Sequence, residues 1–328
     1  MTDTARSGAL DLTVAPPRRA GAAGRRRRRL TIYCAASALA VLTLGLPVER
    51  VVTLVWLFGL LVVAVTADSS ERLRPLVRDW GLFAVLLLAY RYSAGLADGV
   101  GRPVLMAGLV DADRIVGFGE VPTVRLQQVF DQTGTAPLWQ VPLSFVYVSH
   151  FFAVLVAAAL LWLRDRPSWV AYTKRLLSLG VLAVVTYVLV PAAPPWMAAD
   201  EGLIDPIVRS SFLGWERVGL GIVEPVIEQG RAVANPVAAL PSMHAGFAAF
   251  LAAFFWSRTG AAGRVLWACY ALAMGFTLVL TGEHWVVDVF AGWLYVAVVM
   301  GGWALFDRRH PPRSAADDGG RSPVIAAE

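Results

Sequence analysis

Apolar residues gather in eight long blocks separated by short polar breaks, at 30–46, 51–67, 80–97, 141–163, 176–191, 241–257, 265–281 and 285–306. A helix rises 1.5 Å per residue, so blocks of this length match a hydrocarbon layer roughly 30 Å thick. The pattern predicts an all-α, polytopic membrane protein with about eight transmembrane helices. Two breaks on one side of the membrane are long, 98–140 and 192–240, whereas the internal connections on the other side are short. Long connections tend to carry function. The first contains Pro122-Thr123-Val124-Arg125-Leu126-Gln127, a short helix opened by proline at its first turn. The second contains Pro194-Pro195-Trp196, then an amphipathic stretch over 205–231 expected to lie as an interfacial helix with Trp215 at headgroup depth.

Composition agrees with the pattern: 57% hydrophobic and only 16% charged residues, with a mean hydropathy of +0.59, exclude a disordered chain and an ordinary soluble one. The net charge is +5, with 29 basic residues against 24 acidic. That surplus would suit nucleic acid, but its placement points to membrane orientation instead. With the N-terminus inside, 21 basic residues fall in inner segments and 7 in outer ones, which predicts cytoplasmic termini. Residues 1–29, ending in Arg25 to Arg29, read as a disordered basic tail on an anionic inner leaflet, without a cleaved signal peptide. Two accessory helices are expected over 30–79, a membrane domain over 80–306, and a second disordered cytoplasmic tail over 307–328. Cys34 and Cys269 both fall in apolar blocks and imply no disulfide framework.

The polar residues at the membrane boundary collect on one face. Asp288 follows His284 by four positions, so on a helix the carboxylate and imidazole share a side and can hydrogen-bond. His244, in Pro241-Ser242-Met243-His244, opens the sixth span, and the seventh runs back across the membrane before the eighth begins. His244, His284 and Asp288 therefore converge at the outer face. The starts of the sixth and eighth spans, with unpaired N–H groups, suit a phosphate anion. Arg102, Arg91 and Ser242 are the expected phosphate ligands, Arg91 being an intramembrane cation that needs a wet, charged cavity or an ion pair with Asp98 or Asp113. His150, mid-span, is assigned to packing and His310 to solvent. Asp111, Asp113 and Glu120 are assigned to loops and caps rather than to a metal. Two alternatives from other classes stay open: a zinc site on the two histidines and aspartate, and a lipid transporter lined by Arg91.

These residues resemble a known pattern. Pro241-Ser242-Met243-His244 and His284-x3-Asp288 are similar to the second and third motifs of the type 2 phosphatidic acid phosphatase superfamily. The longer runs from Asn235 to Gly246 and from Gly282 to Asp288 resemble its inositol phosphorylceramide synthase branch and bacterial relatives, as do Asp113-Arg114, Pro122-Thr123, Leu126-Gln127 and Pro194-Pro195-Trp196. The resemblance covers about residues 80–300 and implies that the last six helices form a phosphatase-like catalytic core over 80–306. It implies that His284 attacks phosphorus, Asp288 orients it, and His244 protonates the departing oxygen, with no metal or other cofactor. A phosphohistidine would then be resolved by water or by a lipid hydroxyl. Gly95, Thr277 and Leu278 stand where the phosphatases carry Lys, Ser and Arg. Losing two cations suits a phosphodiester better than a doubly charged monoester. The expectation is a multi-pass cell-membrane phosphotransferase moving a phosphoryl or phospho-polyol group between phospholipid, sphingolipid or polyprenyl-phosphate substrates at the extracytoplasmic face, with no nucleic-acid partner. A lipid-phosphate phosphatase using the same three residues is its rival.

Overall fold

The computed structural model describes residues 18–44, 50–66, 74–81, 85, 101–130, 137–219 and 235–310. Among these the chain is helical, with β pairing confined to isolated bridges. The order is α1 (Arg18–Leu44), α2 (Arg50–Thr66), α3 (Ala107–Val116), α4 (Pro122–Val129), α5 (Gln140–Ser149), α6 (Ala153–Arg164), α7 (Arg166–Leu189), α8 (Pro195–Asp200), α9 (Leu213–Arg217), α10 (Met243–Phe255), α11 (Ala261–Leu280) and α12 (Val286–Arg309). Residues 74–81 are also helical. Helices α7, α11 and α12 are each long and apolar enough to cross a membrane, and the bent pair α5 and α6 together makes a fourth. The chain is an all-α, multi-pass membrane protein.

Helix starts follow local chemistry. Asp165 caps α7 by accepting from the Ser168 amide at 3.0 Å, with proline in the first turn. Pro122 opens α4 as expected. At the far end of α12, Arg308 and Arg309 complement the helix dipole. Packing then sorts the helices: α10 lies against α11 and α12, α12 also against α7, and α2 and α7 against α6. Tyr172, Leu179, Phe250 and Phe254 fill the main core. Hydroxyl contacts tie α7 to α12, Thr186 to Tyr295 at 2.7 Å and Ser178 to the Trp303 indole at 3.0 Å.

Three expectations change, and one lies largely outside the described residues. The first helix begins at Arg18, so residues 18–29 are helical rather than a disordered tail. The predicted span 141–163 is two helices bent by 54°. At the break, His150, Phe151 and Phe152 donate to carbonyls three residues back, and the Ser149 hydroxyl takes the Val146 carbonyl at 2.6 Å, interrupting the i→i−4 ladder. Within its described part, 205–219, the amphipathic stretch is non-helical up to 212 and then forms the five-residue α9, and its polar atoms bond to α4 and to the α11–α12 turn; residues 220–234 lie outside the described residues. Of the predicted third span only 80, 81 and 85 are described, so Arg91 falls outside them. Cys34 and Cys269 are free thiols on exposed faces.

Candidate active site

Three loop segments meet at one end of the helices. Leu105, Ala192 and Ala238 form short parallel bridges, with the Leu105 amide on the Pro191 carbonyl (2.8 Å), Ala193 on Leu105 (2.9 Å) and Ala192 on Val237 (2.7 Å). The fully buried Trp285 donates its indole N–H to the Ala193 carbonyl at 2.7 Å, which locks the start of α12 onto this junction. The segment entering α10 is therefore joined to the segment entering α12 through shared backbone partners. The two also touch directly: the Ser242 amide donates to the Asp288 carbonyl at 3.0 Å, and a Cβ added at Gly292 would lie 2.3 Å from the Ser242 carbonyl oxygen. Only glycine allows this approach.

His244 sits in the first turn of α10, half-buried. Its ring Nδ1 lies 3.2 Å from Nε2 of His284. His284 Nδ1 in turn lies 3.4 Å from Asp288 Oδ2, a long hydrogen bond, with His284 nearly buried and Asp288 wholly so. The three residues predicted to converge do so. The expected cause of the His284–Asp288 contact changes, however. His284 precedes α12, in a turn where Gly282 is left-handed (φ 72) and the Glu283 and His284 amides both close onto the Leu278 carbonyl. Asp288 is the third residue of α12 and reaches back to the Trp285 amide at 3.0 Å, as a helix-capping carboxylate does. The same oxygen meets His284, so capping rather than a shared helical face makes the pair.

One tautomer set satisfies both ring contacts. His284 donates Nδ1–H to Asp288 and presents the Nε2 lone pair, which accepts Nδ1–H from His244. A ring-nitrogen lone pair and an N–H donor thus face one another, with a buried carboxylate behind the first imidazole.

The helix termini do not serve as expected. The Val286 and Val287 amides at the start of α12 donate to Asp113 Oδ2 (3.2 Å) and Oδ1 (3.0 Å), so a protein carboxylate fills the anion position expected for phosphate. Burial pushes Asp113 up to about 6 against those two amide bonds. Asp113 is a cap, as expected of it, but one that acts across the fold from α3. Ser242, expected on phosphate, is fully buried, and its hydroxyl oxygen accepts from the Ala245 amide at 3.3 Å as the cap of α10. Arg102 is exposed and has no hydrogen bond or ion pair among the described residues.

Residues outside the predicted set also brace the turn. From α4, Gln127 donates to the Val208 and Leu280 carbonyls and accepts from the Val208 amide, each at 2.8 Å. Glu283, next to His284, is buried and receives a fork from Arg209 (2.8–3.1 Å) and the Ser211 hydroxyl (2.7 Å); the guanidinium lies 4.8 Å from the Trp196 ring. His150, expected only to pack, comes to the site: its ring centroid is 3.9 Å from that of His244. No helical spacing linked His150 to the triad; only the bend after α5 brings it there. Among the described residues no group of three His, Cys, Asp or Glu side chains is placed to hold a metal ion.

A phosphoinositol dihydroceramide synthase of Bacteroides thetaiotaomicron is 24% identical over 169 residues, covering 47% of this chain and 50% of the relative, so the chain spans about half the length of that protein. No solved structure matches. The PAP2 superfamily model matches residues 108–302, from α3 through most of α12 and including all three converging residues, and the chain belongs to that superfamily.

Proposed function

We propose that the protein is a membrane lipid phosphotransferase that carries a phosphorylated polyol head group from a phospholipid donor to the hydroxyl of a lipid acceptor. The observation that carries this reading is the run Asp288 Oδ2, His284 Nδ1, His284 Nε2, His244 Nδ1, at 3.4 and 3.2 Å. In the first step His284 Nε2 attacks phosphorus, the bond from phosphorus to the donor's glycerol oxygen breaks, and His244 delivers its proton to that oxygen. Diacylglycerol leaves and a phosphohistidine remains. Asp288 holds the Nδ1 proton and balances the imidazolium as the N–P bond forms. In the second step the acceptor hydroxyl gives its proton to His244 and attacks phosphorus, and the P–N bond breaks.

The relative's name couples a phosphoinositol group to dihydroceramide, which supports an inositol phosphate-type head group and a sphingoid or diacylglycerol acceptor. The arginine distribution supports cytoplasmic termini and a site at the extracytoplasmic face. Arg91 and Arg102 stay as proposed phosphate ligands, while Ser242 acts through the helix start that it caps.

The test is purified full-length protein, wild type and His284→Ala, incubated with a labelled mixed-lipid extract. A new phospholipid made only by the wild type is expected. Release of phosphate alone, lost in the variant, would make water the acceptor and replace this reading with phosphatase action. Transfer that persists in His284→Ala would remove His284 as the nucleophile.

A further inference from the structure

The predicted fourth span breaks at a specific place. Helix α5 ends at Ser149, and α6 restarts at Ala153 after the 54° bend. Tyr147 and His150 are three residues apart on that last turn and so share a face. Both meet the ring of His244. Tyr147 is stacked on it at 5.3 Å with planes 17° apart, and His150 lies at 3.9 Å with planes 31° apart. His150 is itself 4% exposed and is stacked on Phe247, one turn along α10, at 5.4 Å and 14°. Phe151 adds an edge contact to each imidazole, at 5.3 Å to His150 and 6.3 Å to His244. The ring of His244 thus rests on a patch of aromatic faces supplied by the end of α5, while its Nδ1 meets His284.

His244 needs such support. It stands in the first turn of α10, half-buried, and two torsions would let its ring swing about the chain. Proton delivery works only while the donor nitrogen is held at the reacting atoms, and small misplacements cost orders of magnitude in rate. A close aromatic face restrains the ring plane without competing for Nδ1, and attracts the ring when it is protonated.

We propose that His150 is a positioning residue for the proton-donating His244, fixing its ring plane by face contact so that Nδ1 stays directed at His284. This rests on the reading of His244 under Proposed function. The assignment concerns the imidazole as a ring, so phenylalanine should replace it and leucine, of similar bulk without a face, should not.

The experiment compares wild type, His150→Phe and His150→Leu as full-length protein in one detergent and lipid mixture, with unfolding midpoints confirming that each is folded. Turnover of labelled phospholipid is measured against donor concentration. His150→Leu is expected to lose at least tenfold in kcat with KM within about twofold, and His150→Phe to stay within about threefold of wild type. Folded His150→Leu with wild-type kcat, or His150→Phe as impaired as the leucine variant, would overturn the proposal. A readout independent of turnover separates this from the functional reading. In protein carrying 15N-histidine, the Nδ1 resonance that vanishes in His244→Ala should persist in His150→Phe and shift or broaden in His150→Leu. If wild-type protein transfers no head group yet the resonance follows this pattern, the functional reading fails and the positioning role stands. If transfer is seen and the resonance is the same in all three, the positioning role fails alone.

Discussion

The two ends of the same helices are built on different principles. At the end where α10 and α12 begin, polar groups are buried and met mainly by backbone: Asp113 on two amides, Gln127 on three backbone groups, Asp288 on an amide and a ring. At the other end, where α7 begins and α12 finishes, cations dominate and their partners are carboxylates and aromatic faces. Arg166 meets Asp79 at 2.5 Å, Arg175 meets Asp307 at 2.6 Å, and Lys174 lies 4.5 Å from the Trp303 ring centroid. Arg166, Lys174 and Asp307 are half-exposed and suit a headgroup layer. The first end spends its polar groups on exact placement of two histidines; the second secures depth and orientation. Substitutions at the first should therefore move activity, through the histidines directly or through the groups that place them, whereas those at the second should leave activity unchanged.

The strongest test of that contrast is His284→Ala, expected to lower lipid turnover by at least ~10³-fold, on the scale of other lost nucleophiles. Its unfolding midpoint should stay near wild type, since the ring makes one long bond to Asp288 and one to another histidine. A large loss of stability would show that the His284 ring is structural as well. Next, Asp113→Ala leaves the part-buried Val286 and Val287 amides without their acceptor, a cost of about 2–4 kcal/mol at roughly 1–2 per group. Turnover should fall with it, because those amides begin the helix that carries Asp288. Equal turnover per folded molecule would detach Asp113 from the site.

A pH experiment sharpens the same point. Asp113 stands at about 6 in the folded protein against an ordinary 3.8, so between about pH 4 and 6 the folded state binds more protons than the unfolded one. Stability from this group is then highest below pH 4 and falls as pH rises to 6, by at most ~3 kcal/mol. In Asp113→Asn that part of the slope should vanish when unfolding midpoints are compared across this window. A slope unchanged by the substitution would mean that other groups carry it. The smallest effect belongs to the opposite end: Asp307→Asn, whose side chain is 41% exposed, should cost ~0–1 kcal/mol. Turnover should be unchanged, and a tenfold loss there would erase the division between the two ends.

Much of this was legible in the chain. The apolar blocks located α2, α7, α10, α11 and α12 because a hydrocarbon layer imposes length and apolarity directly. His244, His284 and Asp288 were legible because the two intervening helical passes return them to one face. The bend after Ser149 was not, since no proline or glycine marks it and the cause is a serine hydroxyl taking a carbonyl. Nor was the role of Gln127, whose three partners lie 81 and 153 residues away. An apolar span also hides a polar residue's partners: His150 differs from any packed ring only by what the bend sets beside it.

By itself the sequence determined the class of molecule, the helical segments and the three side chains whose types and spacing suit phosphoryl transfer. The first two follow from length against membrane thickness, and the third from the order of the spans and the motifs that the chain shares with a known family. Tertiary structure decided which groups serve that set: Asp113 rather than phosphate on the α12 amides, Ser242 as a buried cap, Glu283 forked by Arg209, and His150 against His244. Each of these depends on which buried donor finds which acceptor across the fold, and only the packed chain settles that.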